Sequence, residues 1–315
     1  MGKQLYNIFR LLRPRQWVKN FALFAAVTFT GQLFNPEAVF PVILGFLVFC
    51  GLSSGTYIVN DIIDIKKDKL HPFKKFRPLP HGDISISFAV VLAFILISFS
   101  LFAALIINLP FFMLTVVYLL LQVSYSTILK SIAVIDILAI AAGYILRVYG
   151  GEFASGYHIS VWLLLTTISI SLFLAIGKRR SELTLLSSVK AENISAVRKS
   201  LSHYSDSLLN VYASVFATST FISYALFTFL ENPRGINLTF FEDVFLLDSP
   251  ALFHKKWLMI TIIPVVYGLM RYLQDIYEKN EGESPEKVLF SDKPLLLTIG
   301  VWVLMVIGII YFVGS

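Results

Sequence analysis

A chain of 315 residues in which 57% are hydrophobic and 15% are charged is too apolar for an ordinary soluble domain, where about 25% of residues carry charge. Lys and Arg number 26 against 20 for Asp and Glu, a net charge of +6 that follows membrane topology and in part a phosphate-binding surface, with nucleic acid left out as a partner. One cysteine, Cys50, excludes an internal disulfide or a zinc site built on thiolates; it reads as a small buried hydrophobe.

Taken in chain order, apolar stretches of the roughly 17 to 25 residues that cross a bilayer fall at about 16–34, 38–59, 85–107, 110–129, 132–149, 158–177, 206–230, 254–276 and 294–313. They predict an all-α, polytopic membrane protein of about nine transmembrane helices, one domain over 1–315, with cytoplasmic loops at about 60–84, 178–205 and 277–293. The first stretch starts too late and runs too long for a cleaved signal peptide, and no small-residue cleavage site follows it. With the N-terminus inside, 22 of the 26 Lys and Arg fall on the cytoplasmic side, and the far side keeps Arg147, Arg234, Lys255 and Lys256. The expected location is the inner or plasma membrane, with the polar loops in the cytosol.

The second span runs into NDIIDIKKD, which places Asn60, Asp61, Asp64 and Asp68 at the membrane edge, followed by Lys69, Lys74, Lys75 and Arg77. On a helix, offsets of three and seven residues keep the three carboxylates within about 60° of one face, where they repel unless a cation neutralises them. Oxygen ligands alone suit a hard ion such as Mg²⁺, which takes one or two carboxylates, several waters and the oxygens of a substrate phosphate. The pattern predicts a metal-diphosphate site at Asp61, Asp64 and Asp68, with Lys75 and Arg77 on the phosphates. His71 and His81 share the loop without ligand-like spacing, and the triplets at Asn193 and Asn237 match the glycosylation pattern that chance often produces.

A looser echo follows the fourth span in YSTILKSIAVIDILAIAAG, where Tyr125, Ser126 and Lys130 precede Asp136 inside an apolar run. A carboxylate there costs roughly 2.5 to 3.5 kcal/mol on insertion scales, so it needs a polar cavity or a partner. Alone, Asp136 reads as a structural acid paired with Lys130 or Arg147; beside the first motif it reads as the second wall of one site. After the sixth span, Gly177 leads into Lys178, Arg179 and Arg180, which taken alone anchor a span end to anionic lipid and also suit a phosphate. The N-terminal RPRQWVKN invites the same two readings; Lys19 and Asn20 sit just inside the first span, where a topological cation is less needed.

RPRQWVKN, the NDIIDIKKD and RPLPHG block, and the YSTILK block with its aspartate together resemble the UbiA superfamily of intramembrane prenyltransferases, in order along essentially the whole chain. The resemblance implies nine helices around a central cavity open to cytosol and lipid. Through the further blocks HPFKKFRPL, ILRVYGG, GKRRSEL and YLQDIYEKNEGESPEKVLFSDKPL, it also implies 5-phosphoribosyl-1-diphosphate as donor and a polyprenyl phosphate as acceptor, with self-association left open. The sugar's diphosphate would then take the metal, and the lipid phosphate would be the nucleophile. The alternative is a prenyl group moved from prenyl diphosphate to an aromatic or lipid acceptor; a transporter is a distant third. Ile140 stands where a second aspartate would follow Asp136, which weakens the aromatic-acceptor reading. Asp61, Asp64, Lys130 and Asp136 are the expected catalytic residues, and Lys19, Asn20, Asn60, Lys75, Arg77, Tyr125, Lys178, Arg179 and Arg180 the expected substrate contacts. An ionised acceptor needs no general base, in keeping with the lack of any Ser/His/Asp or Cys/His arrangement.

Overall fold

Backbone N–H and C=O groups in hydrocarbon have no water to bond, so long apolar runs satisfy them internally as helices. The computed structural model describes residues 2–70, 74–188, 199–231, 257–278 and 285–313, and among these there is no strand. His71, Asn193, Asn237 and the middle of the expected loops at 178–205 and 277–293 lie outside the described residues. In chain order the helices are α1 (Gly2–Leu12), α2 (Ala25–Phe29), α3 (Pro36–Leu70), α4 (Pro78–His81), α5 (Ile86–Ile107), α6 (Leu109–Thr127), α7 (Ile135–Ser155), α8 (Val161–Ser188), α9 (Asp206–Leu230), α10 (Ile262–Glu278), α11 (Pro285–Ser291) and α12 (Lys293–Gly308). Among the described residues eight helices are long and apolar enough to cross a membrane, the first of them α3 and the last the helix over Lys293–Val313. The chain is a multi-pass membrane protein.

The 16–34 stretch is helical in a different way from the other spans. Arg13 takes a left-handed conformation at φ 54, Pro14 opens a 3-10 helix over Pro14–Phe24, and α2 follows directly. Three residues per turn stack side chains at i and i+3. Arg13, Gln16 and Lys19 therefore share one edge and Trp17, Asn20 and Leu23 another. The second edge is packed inward: Asn20 and Leu23 are fully buried, and Trp17 Nε1 donates to Ser54 Oγ at 3.0 Å. The segment is an inner wall against α3 and α7.

α3 and α7 form the central seam. α3 packs on α5, α6, α7 and the 3-10 segment, while α8 packs on α7 and α9. Close approach depends on small residues. A Cβ at Gly51 of α3 would stand 2.2 Å from Ser100 Oγ, and one at Gly151 of α7 would stand 1.7 Å from the carbonyl oxygen of Leu23. Phe49, Phe111, Leu114 and Tyr118 fill the space beneath the seam as one buried cluster. Asn108 joins α5 to α6, its Oδ1 accepting from the Phe111 N–H at 2.8 Å and its Nδ2 donating to the Phe153 carbonyl at 2.8 Å, which ties that corner to the end of α7. The polar residues gather at the opposite end, where the C-terminal half of α3, the turn between α6 and α7, and the end of α8 meet.

Candidate active site

The C-terminal half of α3 runs past its apolar part and carries the acidic motif as expected, with Asp61 and Asp68 buried and Asp64 half-buried. Each carboxylate has a cation from another part of the chain. Arg13 Nη2 meets both oxygens of Asp61 at 2.5 and 2.6 Å. Arg77 Nη1 bridges Asp61 at 3.1 Å and Asp68 at 2.7 Å. Lys130 Nζ donates to Asp64 at 2.6 Å and to Asn60 Oδ1 at 3.3 Å. The protein's own cations thus relieve the like-charge repulsion of one face. Such pairs are exchangeable: carboxylates can turn to a metal while Arg13, Arg77 and Lys130 turn to the diphosphate it carries.

The sequence leaves Arg13 open between a lipid anchor and a phosphate contact, and does not show its pairing with Asp61. The signal for it is the spacing of three between Arg13, Gln16 and Lys19, visible once the segment is taken as 3-10. Gln16 Oε1 accepts from Lys19 Nζ at 2.5 Å and from the Tyr57 hydroxyl at 3.3 Å, one turn along α3 from Asp61. Lys19 Nζ also lies 5.9 Å from the Tyr144 ring centroid. One edge of the segment therefore runs from the acidic rim toward Tyr144 in the bundle interior.

Asp136 is fully buried on the first turn of α7. It accepts from the Tyr204 hydroxyl at 2.7 Å and from Ser200 Oγ at 3.1 Å, and it ion-pairs with Arg179 Nε at 2.9 Å. Its cation is thus Arg179, not Lys130 or Arg147. The end of α8 abuts this turn, whereas Arg147 sits eleven residues farther along α7, about 16 Å away along the axis. Burial and the Asp136 carboxylate push the Tyr204 phenol up, so it remains a donor. Ser200 also reaches the Lys130 carbonyl at 3.0 Å, with one hydroxyl proton for two acceptors. The Tyr204 hydroxyl contacts the N–H of Val134 as well, 2.6 Å away, where a β-branched residue holds φ 67 at the start of α7. This network sets the turn that carries Lys130.

The expected substrate contacts separate accordingly. Arg179 is fully enclosed, donating to Glu182 and to the Tyr125 hydroxyl at 2.9 Å, so Arg179 and Tyr125 brace the wall. Arg180 pairs with Asp206 at 2.8 Å and lies 5.2 Å from the Tyr277 ring centroid, linking α8, α9 and α10. Lys178 is half-buried on α8. Lys75 is exposed beside Phe76, away from the carboxylates. Asn20 turns inward, donating to Cys50 Sγ at 3.3 Å and accepting from Arg147 Nε at 2.8 Å. Among the described residues no cluster of His, Cys, Asp and Glu has metal-site spacing, because the cations lie between the acids.

A helical bundle with an acid-and-cation rim on an extended transmembrane helix defines an intramembrane transferase class, and the UbiA prenyltransferase family model matches residues 21–291; the chain belongs to that family. It is 32% identical over 309 residues to the decaprenyl-phosphate phosphoribosyltransferase of Corynebacterium glutamicum, covering 97% of this chain and 87% of that one. Against the protein of the same name from Mycolicibacterium smegmatis it is 31% identical, covering 97% and 93%. In fold it matches a UbiA homolog from Archaeoglobus fulgidus solved with GPP and Mg²⁺, with TM-score 0.67 and 19% identity over 96% of this chain and 99% of that chain.

Proposed function

We propose that this protein transfers the 5-phosphoribosyl group of 5-phosphoribosyl-1-diphosphate to a polyprenyl phosphate and releases diphosphate. The observation that carries the reading is the set of three cations, Arg13, Arg77 and Lys130, gathered on the three carboxylates of α3 at a bundle rim. The near-full-length similarity to proteins named for this activity supports it. The cytosol is the expected side for the rim, in the inner or plasma membrane, because soluble phosphorylated metabolites and Mg²⁺ are there.

The hard oxygen donors of Asp61 and Asp64, with Asp68 behind them, fit Mg²⁺, which when bound would neutralise charge on the diphosphate. The bond from C1 of the ribose to the diphosphate oxygen breaks with its electron pair leaving on diphosphate. An anionic oxygen of the lipid phosphate forms the new bond to C1. No proton moves. Lys130, Arg77 and Arg13 stabilise the departing charge as preorganised donors, and Asp136 acts through Ser200 and the α6–α7 turn to position Lys130. The isoprenoid tail stays against apolar helix faces in the bilayer.

The test supplies membranes containing the protein with labelled phosphoribosyl diphosphate and polyprenyl phosphate, and separately with prenyl diphosphate and 4-hydroxybenzoate. Sugar-lipid formed one-for-one with diphosphate is the expected result. A prenylated aromatic without sugar-lipid would replace this reading with prenyl transfer and leave the fold intact.

A further inference from the structure

The first helix, α1, is held to the bundle by one face and leaves another uncovered. Asn7 and Leu11 are buried, and Leu11 packs in one cluster with Ile58 of α3, Leu79 of α4, and Ala89 and Ala93 of α5. On the opposite face Leu5, Tyr6 and Phe9 are 70%, 62% and 58% exposed. Offsets of one and four residues place these three within about 100° of arc, and Arg10 follows at the edge of that arc. Arg10 is exposed too, its guanidinium 5.8 Å from the Tyr6 ring centroid. An apolar stripe bordered by a cation is the pattern of a helix that lies along a membrane surface.

Depth and charge decide what covers the stripe. Ala89 and Ala93, which Leu11 meets, stand on the opening turns of α5, roughly 5 to 10 Å from its start. On the same turns Phe88, Val90, Val91 and Phe94 are exposed, and on a membrane-spanning helix that surface faces lipid. The C-terminal end of α1 is therefore level with lipid-facing side chains. Anionic headgroups complement Arg10, and also Lys66, Lys67 and Lys69, exposed at the rim end of α3. A second copy of the chain fits less well, because three side chains fall short of the roughly 800 Å² that each partner of a standard interface buries. The helix also touches the backbone beside both arginines that hold Asp61. Arg10 Nη2 donates to the Phe76 carbonyl at 2.8 Å, next to Arg77, and the Leu12 carbonyl, next to Arg13, accepts from Ser54 Oγ at 2.8 Å.

We propose that α1 is an interfacial helix that binds the anionic surface of the bilayer, with Leu5, Tyr6 and Phe9 among the lipids and Arg10 at their phosphates. Seated there, it sets the height of Arg13 and Arg77 against the lipid plane. The inference stands on the helix itself and does not depend on the reaction proposed above.

The experiment uses the full-length protein in a Cys50→Ser background, reconstituted in vesicles of phosphatidylcholine with and without phosphatidylglycerol. A spin label on Leu5→Cys reports depth through its collisions with oxygen, which concentrates in lipid, and with a water-soluble nickel complex. A label on Lys69→Cys is the aqueous reference. The Leu5 label should sit about 5 to 10 Å into the headgroup and acyl boundary while the Lys69 label stays in water. Without phosphatidylglycerol the ratio of embedded to water-exposed Leu5 labels should fall about fivefold, the scale of one cation at an anionic surface, and Arg10→Gln should remove most of that difference. Tyr6→Ser combined with Phe9→Ser should bring the label into water; both side chains are exposed, so the fold does not rest on them. A Leu5 label as water-exposed as the Lys69 label, or a depth unmoved by the loss of Tyr6 and Phe9, would overturn the assignment. Equal ratios in the two vesicles would do the same, as would label-to-label broadening that vanishes on dilution with unlabelled protein, which would put a second copy on the stripe.

Discussion

Asp61 shares its charge with two arginines and Asp64 with one lysine, so exchanging either carboxylate for its amide removes a proposed metal ligand and leaves its cation partly unmatched. Asp61→Asn or Asp64→Asn should lower turnover at least about a hundredfold, the scale of one preorganised electrostatic group, while the protein still inserts and folds. Near-normal turnover of both purified variants, or full activity in chelator, would remove the rim from the mechanism. In the proposed reaction Lys130 acts on the substrate side. Lys130→Ala should cost roughly 1.5 to 3 kcal/mol of donor binding, read as a raised KM for phosphoribosyl diphosphate with the lipid KM unmoved. The acids and Lys130 are visible in sequence because their motifs are local. The pairing of Arg13 with Asp61 and the part played by Tyr204 are not, since each arises only through a helix met after folding; Arg13 is 48 residues from Asp61.

At the scale of elements, the 3-10 segment forms the wall between α3 and α7, and one glycine sets its distance from α7. Gly151→Ala would drive a methyl group into the Leu23 backbone, which cannot yield as a side-chain tip can. The expected loss is about 1 to 3 kcal/mol of stability or more, seen as a lowered thermal midpoint in detergent, with donor binding impaired because Gln16 and Lys19 move. Gly300→Ala on α12, where a Cβ meets nothing within 4 Å, is the matching control and should be near neutral. Equal midpoints for the two variants would show that the segment tolerates displacement. Hydropathy placed eight of the nine spans close to the helices seen, because a long apolar run has one way to satisfy its backbone in lipid. It could not show that 14–24 takes three residues per turn, a choice made by Pro14, the left-handed Arg13 and the walls on either side.

For the whole molecule, the distribution of Lys and Arg predicts orientation. A cysteine at Lys69 in a Cys50→Ser background should label only from the cytosolic side, and one at Asn237 only from outside; serine retains an acceptor for Asn20. Reversed labelling would put the acidic rim out of reach of cytosolic phosphoribosyl diphosphate. By itself the sequence determined the membrane-embedded helical class, the spans and the acidic face of α3, because hydrophobic length and helical period are properties of neighbours along a chain. Only the tertiary structure decided that Asp136 belongs to Arg179, that Arg13 answers Asp61, and that Arg147 stands deep in the bundle, its hydrogen-bond partners among the described residues all neutral. Those pairings join residues on different helices, whose distances exist only once Gly51 and Gly151 have let the helices close and the intervening side chains have packed.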